Sequence, residues 1–276
     1  MSGLSLAIFG LSACARPLMN LPSGPARPAP DATAIVDRAS AACRGVRTLT
    51  AEMRVGGAVR GRKIRGRLIA GLAAPASFRF EALAPFGAPV FVFVAAGERA
   101  TLLLVREGRV LRDAPPDRVL EALTGVPFGP ADLRDVLDGC GAPATSVRGG
   151  RVYGDRWLAA ELADGSALYL RHEARDPQGW HIVAANRATG DAATAPIRIE
   201  YRDIRGGVPY EVRLHHTRDG RVDFDLTVKL SQVETNVAID AAAFAVDVPA
   251  GAAPMTIDEV RAGGVFGSFG SSGRGR

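Results

Sequence analysis

At 276 residues, 47% of them hydrophobic and 6% aromatic, the chain can bury a sizeable core, and one principal domain suits its length. The net charge of +5 is modest, and of 34 basic residues only Lys63 and Lys229 are lysines. Few aromatics and the lack of a basic helix exclude the common nucleic-acid modules, so no nucleic-acid partner is expected.

The opening MSGLSLAIFGLSAC carries an apolar run over residues 4–11. It is too short to span a bilayer and fits a signal-peptide core, giving a leader over residues 1–13. It ends in Leu11-Ser12-Ala13-Cys14, which resembles the bacterial lipobox, whose Cys is lipidated and becomes the mature N-terminus. The resemblance implies a lipid anchor on Cys14. No Lys or Arg precedes the run, so its positive flank is the amino terminus alone. Ala15 stands where the enterobacterial inner-membrane retention signal has Asp, which by the same resemblance favours the outer membrane, on its periplasmic face. Residues 14–30, rich in Pro and small residues, read as a flexible tether.

Asp31 can cap a helix to about Cys43, with Ile35, Ala39, Ala42 and Val46 at helical spacing and Gly45 near its stop. Strands then take over. Leu49, Ala51, Met53 and Val55 alternate with polar residues, and after Gly56-Gly57 a second strand sets Ile64, Leu68, Ala70 and Leu72 opposite Lys63, Arg65 and Arg67. Arg60, Arg62, Lys63, Arg65 and Arg67 form a basic ribbon, either a solvated strand face or a surface for anionic lipid headgroups. In residues 77–94, SFRFEALAPFGAPVFVFV, a half-buried strand with Phe78, Phe80 and Ala82 on one side leads through a Pro-Phe-Gly turn into a strand apolar on both sides. Phe86 stands alone at that turn, either folded onto the core or held out to meet a membrane or partner.

Strand, small residue, Pro-Phe-Gly, strand resembles the protruding loop of the outer-membrane lipoprotein receptor family LolB, where a Leu matches Phe86. The resemblance implies that Pro85, Phe86 and Gly87 form a membrane-insertion loop. Further on, residues 117–123 and 131–137 read as two short helices. The segment LTGVPFGPADLRDVLDG, residues 123–139, resembles the middle helices of LolB, with Thr124, Gly125, Pro130, Leu133, Leu137 and Gly139 in matching order. The family likeness makes residues 116–139 a helical lid, with Leu120, Leu123, Leu133 and Leu137 turned to something apolar. The ending FAVDVPAGAAPMTIDEVR resembles the closing segment of the LolA/LolB superfamily through Phe244 and Pro249.

The last third is strand after strand, read over residues 152–161, 168–172, 180–185 and three long alternating runs. In the clearest, Val222, Phe224, Leu226, Val228 and Leu230 face Arg221, Asp223, Asp225 and Lys229. The fold class is mainly β: an antiparallel incomplete barrel of about 11 strands, with a helical lid insertion and an N-terminal helix, over residues 31–262. The Gly/Ser/Arg-rich residues 263–276 are expected to be disordered.

The chemistry of catalysis is absent from the pattern. His215 and His216 point to opposite strand faces, Asp223 and Asp225 are placed outward, and no nucleophile pairs with a base, so neither an enzyme nor a metal or other cofactor is expected. If Cys14 is lipidated, Cys43 and Cys140 remain as an even pair in an oxidising compartment; they form a disulfide or two separately buried thiols. The first functional expectation, implied by the resemblance, is a lipid-anchored monomeric receptor that binds the acyl chains of lipoproteins in its apolar interior and inserts them into the outer membrane, whether or not a LolA-like periplasmic carrier is the donor. Met53, Phe80, Phe91, Phe93, Phe224 and Leu226 would line its interior. The alternative is an anchored envelope binding or structural module whose core is filled.

Overall fold

The computed structural model describes residues 16–84, 89–143, 145–173, 179–189 and 194–263. The leader, Cys14, the turn residues Pro85, Phe86 and Gly87, and the tail beyond Gly263 lie outside them. The alternating runs assemble into one large sheet. In chain order its strands are β1 (Arg27–Pro28), β2 (Thr48–Val59), β3 (Arg62–Ala73), β4 (Ser77–Leu83), β5 (Pro89–Ala96), β6 (Arg99–Leu104), β7 (Arg109–Ala114) and β8 (Val147–Tyr153). Then follow β9 (Trp157–Leu162), β10 (Ala167–His172), β11 (Trp180–Arg187), β12 (Ile197–Arg205), β13 (Val208–Arg218), β14 (Arg221–Thr235) and β15 (Ala253–Pro254).

From β2 to β7 and from β8 to β14, neighbours in sequence are neighbours in the sheet, and β14 pairs with β2 to weld the two halves together. The sheet is not closed: β1 finishes one edge against β8, and β15 the other, parallel to β7. Each edge is thus finished by a strand of two residues, and short edge strands offer little ladder for strand addition. Helix α1 (Ala32–Arg44) packs on β8, β9 and β11. The insertion between β7 and β8 forms α2 (Pro116–Thr124) and α3 (Pro130–Asp138), and α4 (Ile257–Gly263) lies against α2. Among the described residues no helix is long and apolar enough to cross a membrane.

Several details depart from the sequence pattern. Gly56-Gly57 is no turn: β2 runs on to Val59, and the chain reverses at Arg60-Gly61, both at positive φ. Gly57 lies so close to β14 that a Cβ would come within 2.0 Å of the Asp225 carbonyl oxygen, which is why no larger residue fits there. Residues 152–161 are not one strand; Gly154, at φ 57°, turns the chain between β8 and β9. Asp31 makes no side-chain cap on α1, although its carbonyl accepts the Ile35 amide.

On β14 a register shift at Asp223 turns Val222 outward, leaving it 53% exposed. Asp223 is therefore buried rather than solvated, ringed by Arg60, Arg218 and His216 at 3.2, 3.4 and 3.5 Å. β5 is buried on both faces because Ala241–Phe244, a short 3-10 helix, crosses the outside of β4 and β5. Its Ala243 and Ala245 carbonyls accept the Arg79 guanidinium at 2.9 and 2.8 Å.

Of residues 16–28, expected to be part of a free tether, Arg16 and Met19 are bonded to the outer face of the sheet and Arg27–Pro28 pair at its edge as β1. Glu200 accepts the Met19 amide at 2.7 Å, while Arg198 and Arg213 donate to the carbonyls of Met19 and Arg16. The docked segment buries Glu200 completely, with Arg198 and Arg202 at 3.0 and 3.4 Å balancing its charge.

Candidate functional site: a lidded apolar cavity

Inward-facing positions of β2 to β5 and of β13 and β14 line a hollow under the α2–α3 hairpin. Met53 and Val55 come from β2, Phe80 from β4, Phe91 and Phe93 from β5, Leu214 from β13, and Leu226 and Val228 from β14. Alternation puts Phe91 and Phe93 on the same side, so both rings face the interior. Phe93 stacks on Phe80, centroids 6.2 Å apart. From the lid come Leu120, Leu123, Leu133 and Leu137, with Val126 and Phe128 from the connection between the helices. Thr124 is the one polar residue at the wall, and its hydroxyl is occupied with the Leu120 carbonyl at 2.7 Å and the Val126 amide at 3.1 Å.

Of the residues expected to line this interior, Phe224 does not. It is fully buried beyond the wall, its ring 5.4 Å from that of His216. The pattern of one strand could not separate a residue facing the hollow from one packed at its margin. The connection residues Val126 and Phe128 escaped the sequence reading altogether, since Pro127 and Gly129 around them signal only a loop.

The hollow measures about 100 Å³. That is less than the roughly 150 Å³ of an apolar cavity that admits one benzene, so it does not hold a long acyl chain with the lid in this position. The attachments of the α2–α3 hairpin hold it over the hollow. Cys140, directly after α3, is joined to Cys43 of α1 in a disulfide with Cα atoms 5.6 Å apart. Arg134 donates to Asp138 at 3.0 Å and to the Val46 carbonyl. From the sheet, Arg187 pairs with Asp132 and, at 3.9 Å, Asp135, and its guanidinium lies 5.5 Å from the Phe128 ring centre. Both ends of α3 are thus tied, and the connection is held as well: Asp132 accepts the Gly129 amide at 2.9 Å, and Val126 and Phe128 are buried.

These ties include carboxylates held away from water. Burial pushes Asp138 up to about 6, the Arg134 hydrogen bond and charge offsetting only part. Burial likewise pushes Asp135 up to about 6, opposed by Arg187 and reinforced by Asp132 and Asp138. Such groups keep protons in the folded protein that the unfolded chain has released, so their contribution to stability falls as pH rises from about 4 to about 6. For Asp138, with its side chain 5% exposed, the loss is on the order of 2–3 kcal/mol. Asp138→Asn, which keeps an acceptor for Arg134, is expected to flatten that decline by about half in urea melts at pH 4.5 and 7. An unchanged decline would assign it to other groups.

Among the described residues no group of three or more His, Cys, Asp or Glu is arranged to hold a metal ion. His216, 2% exposed, has its Nε2 3.0 Å from the Ala195 carbonyl, and Asp225 is paired with Arg213 at 2.7 Å.

No family model and no curated protein matches the sequence. In fold the chain is similar to a LolA superfamily protein from Nitrosomonas europaea, over 76% of this chain and 95% of that one, with a TM-score of 0.50 and 8% identity. A DUF1329 family protein from Desulfovibrio piger aligns over 77% of this chain and 96% of that one, with a TM-score of 0.48 and 13% identity. Fold and cavity together define a class: an open, curved antiparallel sheet whose concave side is apolar and covered by helices. It is the fold seen in the LolA superfamily.

Proposed function

We propose that the protein is a lipid-anchored receptor of the LolB type, working at the periplasmic face of the outer membrane. It takes the acyl chains of a lipoprotein from a LolA-like carrier into the hollow beneath the α2–α3 lid and releases them into the bilayer. The observation that carries this reading is the wall itself: among the described residues every lining side chain but that of Thr124 is apolar, beneath the α2–α3 hairpin. Transfer of about 0.8 kcal/mol per methylene from water favours chain entry and is matched by the bilayer at exit, so no bond need break. Cys14 would hold the protein at the membrane and Phe86 would enter it.

The test is transfer of a labelled lipoprotein from a soluble carrier to liposomes. Phe86→Glu is expected to accept cargo as the parent does and to lower delivery by about tenfold or more, the penalty of placing a charge in lipid. Unfolding of Phe86→Glu would instead make Phe86 a core residue. The small size of the hollow favours the second reading, an anchored envelope module with a filled interior, and failure of the parent to accept cargo would establish that reading.

A further inference from the structure

The outer face of β12, β13, β14, β2 and β3 carries a groove of about 800 Å³, much larger than the interior hollow. Cross-strand pairing builds it in rows. Arg202, Glu211, Lys229, Arg54 and Arg67 stand side by side across the five strands. The next row holds Glu200, Arg213, Thr227, Gly56 and Arg65. Seven cations line the groove against two lining carboxylates, Glu211 and Asp225, while Arg67 also pairs with Glu52 at 2.9 Å and Arg202 with Glu200 at 3.4 Å from its margins. Asp225 is taken by Arg213 at 2.7 Å, and Glu211 is shared by Lys229, Arg16 and Arg202 at 3.3, 3.8 and 4.0 Å.

Arg54 and Arg65 make no ion pair among the described residues, and Arg54 is wedged between Lys229 and Arg67. Like charges directly opposite destabilise a sheet unless an anion joins them. At the middle lies Gly56, where a Cβ would meet nothing within 4 Å, so a hollow opens among Arg54, Arg65 and the Thr227 hydroxyl.

We infer that this groove seats the anionic headgroups of a phospholipid surface, turning the outer face of β2, β3 and β14 to the membrane. Its two ends argue for a surface over a small free anion. At one end is Arg16, two residues after Cys14 in sequence; at the other are Leu83 and Ala84, which lead in sequence to Pro85, Phe86 and Gly87. The inference rests on the proposed function only in placing the protein at a membrane. Vesicle binding is measured with no lipoprotein present, so it can succeed where transfer fails and fail where transfer succeeds.

The experiment is flotation of the full chain carrying Cys14→Ser with phosphatidylcholine vesicles, with or without roughly one third phosphatidylglycerol. The parent is expected to bind the anionic vesicles and to leave them as salt is raised. Arg54→Glu with Arg65→Glu should lower that partition about a hundredfold and Gly56→Glu about tenfold, with thermal melts and binding to neutral vesicles unchanged. Equal binding to both kinds of vesicle, or anionic binding that survives both variants, overturns the inference. So does a parent whose melting temperature rises with inorganic phosphate while anionic vesicles fail to retain it, which would make the groove a free-anion site.

Discussion

Replacing Cys43 and Cys140 by Ser is expected to lower the stability of the domain by about 4 kcal/mol and its melting temperature by roughly 10–15 °C. The bridge spans a sequence separation of 97, so it removes much of the freedom of the unfolded chain over a third of its length. It also joins two elements that share little other contact, α1 and the end of α3. The variant should still fold, because Arg134 continues to hold the Val46 carbonyl and Arg187 to hold Asp132. Thermal melts with and without reductant check this. Reductant should shift the parent to the variant's value and leave the variant alone. A loss under about 1 kcal/mol would mean that the unfolded chain is already confined near this geometry.

The count of cysteines left that bridge as one of two options, and its span of 97 positions puts it beyond any local pattern; local pattern reached other parts of the molecule. Period-two alternation located β2, β4, β12 and the inward set Phe224, Leu226 and Leu230 of β14, because a sheet solvated on one side must alternate. The helical hairpin was legible for a similar reason: Pro116 and Pro130 open the helices, Gly125 and Gly139 close them at positive φ, and Leu residues three and four apart mark their buried stripes. Inward direction on β2, β4, β5 and β14 brings Met53, Phe80, Phe91, Phe93 and Leu226 to one wall with the four leucines of α2 and α3.

What the pattern missed depends on partners far away in sequence. Nothing in residues 16–28 announces that Arg16 and Met19 are bonded to the sheet, for the contacts run from backbone groups to Arg198, Glu200 and Arg213 about 180–200 positions on. Asp223 reads as one more outward carboxylate until the shift at His216 and Thr217 rotates it inward. The outer groove is likewise a product of pairing. Arg65 and Arg67 stand in the basic ribbon of one strand; Arg54 joins them across the β2–β3 hairpin, and Lys229 only when β14 meets β2. A row of charges on one strand says little; the same charges opposite one another on three strands define an electrostatic surface.

Phe93→Ala is expected to distinguish a binding cavity from a filled core. Phe93 is fully buried, lies at the wall and stacks on Phe80. Its truncation should cost about 3–5 kcal/mol, roughly 10 °C or more in melting temperature, and merge the space of the ring with the existing hollow of about 100 Å³. If that hollow is the acyl site, a medium-chain fatty acid fits the enlarged space without lifting the lid. It should then restore about 2–3 kcal/mol at a hundred times its dissociation constant. The parent should gain less at the same concentration, because there the chain must first displace the contacts of Val126 and Phe128. A core that is merely filled gives the loss and no rescue, since a void left in it has no open path and no elongated shape. Equal small shifts in both proteins would place the chain outside the α2–α3 lid and leave the interior as scaffold. Rescue confined to Phe93→Ala makes the lid the gate, because only the work of moving it differs between the two proteins.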